Sequence, residues 1–232
     1  MQAVILAAGR GTRMQHLTEV IPKPMLKVHG KNLIEHKIIA LPAEIGEVVL
    51  VIGYLGDVIR QYFGNEYAGK KITYVEQKEL RGTGYALHEA RHVLGDRFLV
   101  LMGDDIYSKD DIKAMLKYEW AMLVRGVSIE KRGARVVCDE SGNVIEIIES
   151  QVLAPGDNEN AGMYIISKDF FNHALVKLPG REEWGLPQTL VRVAHGKLKI
   201  VQTGRYIQLT VPEDLAEAEA VLKETGTTRI SL

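Results

Sequence analysis

Much is scarce in this 232-residue sequence, and each scarcity removes a class of protein. Cys138 is the only cysteine, so no intramolecular disulfide can form, and a reducing compartment fits. Neither charge sign is in excess: the formal net charge is −1. Nothing therefore points to nucleic acid as a partner, and no acidic block marks a disordered tail. The opening Met1-Gln2-Ala3-Val4-Ile5-Leu6-Ala7-Ala8 is apolar, yet it lacks the basic segment of a secretory leader and is too short to span a membrane. It reads as a buried first strand, and a cytoplasmic location without membrane association follows by elimination. No Pro/Gly/Ser-rich linker, internal repeat or low-complexity tract divides the chain.

What remains is an ordinary globular composition, 46% hydrophobic and 25% charged. Its length suits one α/β domain with a proper core. Ala3–Leu6, Val48–Ile52, Ile72–Val75 and Phe98–Met102 are short, Val/Ile/Leu-rich runs bounded by turn or polar residues, the pattern of buried strands. Helical spacing occupies Asn32–Leu41, Asp57–Phe63 and Gly82–Leu94 between them. This alternation implies right-handed crossovers and a mostly parallel, Rossmann-like sheet flanked by helices. After about residue 120 the texture turns β-rich. Strands are predicted at Met122–Ile129, Ala134–Val137, Val144–Ile148 and Met163–Ile166, with a turn at Glu140-Ser141-Gly142-Asn143. Helices return at Phe170–Leu178, Leu186–His195 and Pro212–Lys223. The expectation is a single domain over 1–232, with a first half to about 120 and a β-rich second half.

The most informative segment is Leu6-Ala7-Ala8-Gly9-Arg10-Gly11-Thr12-Arg13-Met14, directly after the first strand. Ligands of open parallel sheets bind beyond the carboxyl ends of strands. Gly9 and Gly11 let the backbone approach a phosphate, and their N–H groups can cradle its oxygens. Arg13 adds a planar fork of donors. Position 14 is Met where a dinucleotide fingerprint needs glycine, and no Gly-Lys-Ser/Thr is present for a Walker loop. Taken alone, Gly-x-Gly is as readily a plain glycine turn.

It is followed, ten residues after Arg13, by Lys23 in Ile21-Pro22-Lys23-Pro24-Met25-Leu26. Gly9, Gly11, Thr12, Arg13, Pro22 and Lys23 together resemble the signature of the sugar-1-phosphate nucleotidyltransferases. These include glucose-1-phosphate thymidylyl- and uridylyltransferases and acetylglucosamine-1-phosphate uridylyltransferase domains. The resemblance runs from Gln2 to about Leu222. It implies that Arg13 and Lys23 bind the triphosphate and stabilise charge, and that Leu6, Ala8, Gly9, Gly11, Thr12, Gln77, Gly82 and Thr83 line the nucleotide site. Gln77 then reads the base. Its amide offers one donor and one acceptor, a match for O4 and N3–H of uracil or thymine, whereas guanine's two donors would be better served by a carboxylate.

Phe98–Met102 runs into Gly103-Asp104-Asp105. Carboxylates at a strand's carboxyl end suit Mg²⁺. The resemblance assigns the metal to Asp104, while Asp105 should point to the opposite side if strand geometry persists. It places the sugar against Gly103, Glu149, Asn160 and Gly162. Two departures stand out. Ser150-Gln151 occupies the place where most relatives have a Lys-Pro whose lysine helps hold the sugar phosphate, leaving Lys168 or Arg181 as substitutes. Gln208 stands where an aspartate often helps bind metal, and a neutral residue is tolerated there in some relatives.

His88-Glu89-Ala90-Arg91-His92 matches the zinc-protease pattern His-Glu-x-x-His, but Ala86, Leu87, Ala90, Val93 and Leu94 define the apolar face and leave both histidines on the solvent side. The expected activity is Mg²⁺-dependent transfer of a nucleotidyl group, UTP or dTTP favoured, to a hexose 1-phosphate. The substrates are the only partners implied, apart from a possible homo-oligomer. Little chain follows Leu222 for an acyltransferase repeat domain, so one activity is expected. Cytidylyl transfer to a phosphorylated alcohol and a non-catalytic nucleotide-sugar sensor are the rival readings.

Overall fold

A computed structural model describes residues 1–226. Its centre is built from the apolar runs of the first half. Strands β1 (Gln2–Ala7), β2 (Glu47–Ile52) and β3 (Lys70–Glu76) pair in parallel, and β4 (Arg97–Met102) lies parallel to β1 on its other side. Every one of Ala3 to Leu6 and Val48 to Leu50 is buried, because helices cover both faces of the sheet. Alternation sorts the side chains. Ala3, Ile5 and Ala7 meet Ile34 and Ile38 of α1 (Leu33–Ala40) and Ile59 and Phe63 of α2 (Gly56–Phe63). Val4, Leu6 and Ala8 meet Ala86 and Leu87 of α3 (Thr83–Glu89). Each fully buried aliphatic chain contributes about 1.5–3 kcal/mol relative to exposure.

Helix α1 starts where a reciprocal cap fixes it. Asn32 Oδ1 accepts from the Glu35 N–H (2.9 Å), and Glu35 Oε2 accepts from the Asn32 N–H (2.8 Å).

The same sheet continues into the second half, where it becomes antiparallel. After β5 (Asp105–Tyr107) and α4 (Lys109–Met115) come β6 (Ala121–Gly126), β7 (Lys131–Cys138), β8 (Val144–Leu153) and β9 (Asn158–Ser167). Strand β9 runs antiparallel to β4 and joins the halves, so the order is β8-β7-β9-β4-β1-β2-β3 with the short strand Glu66–Tyr67 beyond. Strand β6 branches from β9 and pairs in parallel with β10 (Lys199–Gln202). Helix α5 (Leu186–Val193) packs on the α3 face, β11 (Tyr206–Gln208) pairs with β5, and α6 (Asp214–Gly226) closes the described chain.

Several sequence expectations need correction. Phe170–Leu178 is not an α-helix. A 3-10 turn spans Lys168–Asn172, and the chain then extends into Val176–Lys177, paired with Trp184–Gly185. Burial of Phe170 and stacking of Phe171 on Phe98 (5.9 Å between rings) stop the turn early, and the Val176 N–H is taken by Thr189 Oγ1 (2.9 Å). Strand β6 ends at Gly126 rather than residue 129, while β7, β8 and β9 exceed their predicted lengths. Pairing on a sheet extends strands beyond the range over which hydrophobicity alternates. Helix α6 begins at Asp214, whose Oδ2 accepts from the Thr210 and Val211 N–H groups.

Candidate active site

Strands β1 and β4 are neighbours, with Leu6 opposite Met102, so their exit loops emerge side by side at the carboxyl end of the sheet. The approach is tight. The Gly103 N–H donates to Leu6 O (2.9 Å), and a Cβ on Gly103 would stand 2.5 Å from that oxygen. After Gly9 and Arg10 the chain turns through Gly11, at φ +64°, into a 3-10 turn over Thr12–Thr18. Met14, the residue in place of a third glycine, is fully buried and anchors that turn. Thr18 Oγ1 donates to Gly11 O (3.2 Å), Tyr54 Oη donates to Thr18 O (3.1 Å), and the Arg10 guanidinium lies over the Tyr54 ring (5.3 Å).

Lys23 opens a second short turn, Lys23–Met25, stiffened by the prolines on either side. Its stem is buried against Gly11, and its ammonium donates to Asp104 Oδ2 at 2.6 Å. Asp104 remains partly open to the cavity, whereas Asp105 turns inward and is buried, as alternation from the strand anticipates. Opposite, the Gln77 N–H continues the β2 ladder to Ile52 O (2.8 Å), and its buried amide points its Nε2 toward Gly82 O (3.5 Å).

These parts enclose a cavity of about 440 Å³. Leu6, Ala8, Gly9, Gly11, Thr12, Arg13, Lys23, Gln77, Gly82, Thr83, Gly103 and Asp104 all line it. The remaining sequence candidates stand apart. Glu149 is exposed on β8 and accepts from Gln188 Nε2 (2.8 Å). Asn160 Oδ1 takes the Gly162 N–H (3.1 Å), its Nδ2 donates to Tyr164 Oη (2.8 Å), and Gly162 O accepts from Tyr107 Oη (2.9 Å). Gln208 is exposed on β11 directly across from Asp105. This second group makes a shelf beside the cavity rather than part of its wall, with Glu149 and Gln208 exposed, Asn160 half-buried and Gly162 buried.

Geometry also decides between the substitute cations. The Lys168 N–H bonds Asp96 O (2.7 Å) at the amino end of β4, the far end of a six-residue strand from Asp104. It cannot serve the shelf. Arg181 is exposed in the turn that leads to Glu183, on the cavity rim. The histidine pair fails as a metal site: α3 gives way to a 3-10 turn at Ala90–His92, so the one-turn helical register of His88 and His92 is lost. His88 is half-buried against Phe171 (6.1 Å), not turned to solvent as expected, and burial lowers its pKa. No cluster of three metal-ligating side chains occurs among the described residues.

The sequence reading missed two groups. Glu183, which lines the cavity beside Gly82, is brought there by a hairpin whose Trp184 N–H bonds Arg81 O (2.8 Å). Lys37 of α1 is fully buried beneath Asp104 and Asp105. Burial pushes its ammonium down to about 8, a fall opposed by the two carboxylates. Burial, reinforced by Asp104, drives the Asp105 carboxyl well above its ordinary range, against the pull of Lys37, Lys23 and the Tyr107 hydroxyl.

The model of the nucleotidyl transferase family matches residues 2–185, from the first strand through the hairpin that carries Glu183. The chain belongs to the sugar-1-phosphate nucleotidyltransferase family. It is 33% identical over 99% of its length to the bifunctional protein GlmU of Methanocaldococcus jannaschii, but spans only 56% of that protein. It is 32% identical to the UTP–glucose-1-phosphate uridylyltransferase AglF of Haloferax volcanii, covering 98% of each chain. A D-glycero-α-D-manno-heptose 1-phosphate guanylyltransferase of Campylobacter jejuni is 32% identical, over 92% of this chain and 96% of the relative. The fold matches that of a Bacillus anthracis protein provisionally named a glucose-1-phosphate thymidylyltransferase and solved with sucrose. The TM-score is 0.81 at 23% identity, covering 97% of this chain and 96% of that one. No helix among the described residues is long and apolar enough to cross a membrane.

Proposed function

We propose that this protein transfers a nucleotidyl group from a nucleoside triphosphate to a hexose 1-phosphate, releasing pyrophosphate, with UTP or dTTP favoured. One observation carries the reading. The glycine loop with Arg13, the Lys23–Asp104 pair and the Gln77–Gly82–Thr83 segment come from separate stretches of chain and line a single cavity. A phosphate oxygen of the sugar phosphate attacks the α-phosphorus in line. The new P–O bond forms as the bond to the β-bridging oxygen breaks, and that oxygen leaves with pyrophosphate. The nucleophile is already anionic, so no general base is needed. Arg13 and Lys23 offset the charge that builds on the α-phosphoryl and leaving oxygens. Holding both substrates at reacting distance supplies the rest.

Asp104 fits a hard divalent cation such as Mg²⁺, which takes one or two carboxylates together with substrate phosphates. Only one of its oxygens is engaged by Lys23, and its carboxylate faces the cavity. Bound there, the cation would neutralise and orient the phosphates. A pyrophosphate-release screen of the five common nucleotides against several sugar 1-phosphates, with and without EDTA, tests the function. Turnover with none of the pairs refutes it, and turnover indifferent to EDTA removes the cation from Asp104. Gln208→Asp adds a carboxylate across from Asp105, so the Mg²⁺ concentration for half-maximal rate is expected to fall. An unmoved midpoint removes Gln208 from the site.

The base preference rests on the Gln77 amide. Gln77→Glu removes the donor to O4, and uridine or thymidine nucleotides are expected to lose affinity relative to GTP, measured as a ratio of kcat/KM. Unchanged ratios mean that Gln77 does not read the base. Guanine is the second reading, and Glu183 is the observation behind it: a carboxylate on the cavity wall could accept from the two donors of guanine's edge. The same screen separates the two.

A further inference from the structure

Lys37 takes no part in the transfer itself, yet it occupies an expensive position. An ammonium withdrawn from water is costly to bury, and a methionine would fill the same volume without that cost. Its hydrogen bonds show what it holds. Nζ donates to Leu33 O (3.1 Å) in the first turn of α1, and to Gly103 O (2.9 Å) at the exit of β4. Among the described residues it forms no direct ion pair with Asp104 or Asp105; both bonds go to carbonyls. The Gly103 N–H is held from the other side by Leu6 O (2.9 Å). The residue from which Asp104 departs is thus pinned to β1 through its N–H group and to α1 through its carbonyl.

We propose that Lys37 is a positioning residue, which acts through the Gly103 carbonyl to fix the direction in which Asp104 enters the cavity. The inference rests on the reading of Asp104 as the cation-binding carboxylate. It goes beyond that reading by making a helix residue outside the cavity wall a determinant of cation affinity.

The sign of one measurement separates this role from a simpler one. A lysine that acts only as a nearby positive charge repels a divalent cation, so its removal would tighten cation binding. A lysine that aims the carboxylate does the reverse. Mn²⁺ binding, followed by the EPR signal of the free ion in the presence of a non-hydrolysable UTP analogue, reads that sign directly. Lys37→Met is expected to weaken Mn²⁺ binding about tenfold and lower kcat by a similar factor, the usual cost of removing an outer-shell partner. Nucleotide affinity without metal should hold, because Lys37 itself bonds only Leu33 O and Gly103 O and touches neither the glycine loop nor Gln77. Mn²⁺ binding as tight as wild type or tighter, at equal folded fraction, overturns the proposal, as does an equal loss of metal-free nucleotide binding. Should Lys37→Met fail to fold, Lys37→Gln removes the charge and is one atom too short to bond both carbonyls as Nζ does. Mn²⁺ binding weaker than wild type then supports positioning, and equal or tighter binding overturns it. Absence of Mn²⁺ binding to the wild-type protein would instead remove the site reading, and this inference with it.

Discussion

Arg13→Ala is expected to lower kcat by about 10²–10³ and to leave thermal stability close to that of the wild type, the first figure being typical for loss of one preorganised charge-stabilising donor. The two halves of this expectation have separate causes. The Arg13 side chain is exposed on the cavity wall and forms no ion pair among the described residues, so its loss strands no buried partner. The loop around it is held by other groups: buried Met14, the Thr18 hydroxyl on Gly11 O, and the Tyr54 hydroxyl on Thr18 O. During transfer, negative charge shifts toward the departing pyrophosphate, and a guanidinium carried on a loop held by those contacts is placed to meet it. Arg13→Lys keeps the charge but not the planar fork, and should fall between the two. Steady-state pyrophosphate release at saturating substrates, paired with a thermal melt, measures both halves. Near-normal turnover in Arg13→Ala would reduce the glycine loop to a structural turn.

What the sequence makes legible is what local pattern encodes. Three of the four first-half strands, β1, β2 and β4, are apolar runs enclosed by helices, so composition alone marks them, while β3 alternates buried and more exposed residues. The glycine loop, Gln77 and Asp104 sit at the ends of those strands, and parallel topology gathers them at one edge, while the turns over Thr12–Thr18 and Lys23–Met25 bring Lys23 back against Gly11. Phe170–Leu178 misleads because Phe170 is buried and Phe171 stacked on Phe98 without a helix, while a hairpin partner claims the residues beyond. Lys37 leaves no trace at all. It interrupts the apolar face of α1 as an ordinary exposed lysine would, and its partner Gly103 lies 66 residues away. Glu183 is equally silent, since only the hairpin brings it beside Gly82. The shelf of Glu149, Asn160 and Gly162 is legible only by resemblance, and the structure shows Asn160 and Gly162 engaged with Tyr164 and Tyr107. A sugar phosphate bound there must compete with those bonds or donate its hydroxyls to the lone pairs they leave free.

The two glycines of the loop are expected to fail in different ways, and the difference is large. Gly11 sits at φ +64°, where an L side chain costs roughly 1–2 kcal/mol. A Cβ there would also lie 2.7 Å from Lys23 Cβ. That atom is the root of a buried side chain, not its flexible tip, so relief requires the Lys23–Met25 turn itself to move. Overpacking of this kind costs about 1–3 kcal/mol more. Gly11→Ala is therefore expected to lose about 2–5 kcal/mol of stability, a fall of roughly 4–20 °C in Tm for a chain of this size. Displacing the turn also draws the Lys23 ammonium from its place 2.6 Å from Asp104, and misplacement by about 1 Å is enough to cost about 10²-fold in kcat. Gly9 faces the cavity, and a Cβ added to it would have no atom within 4 Å. A methyl group there meets nothing in the protein but enters the space of the triphosphate. Gly9→Ala should accordingly melt like the wild type and show its defect in the KM for nucleotide. If the two variants behave alike, in either the melt or the kinetics, then Gly11 does not hold Lys23 in place, and the loop acts on the nucleotide alone.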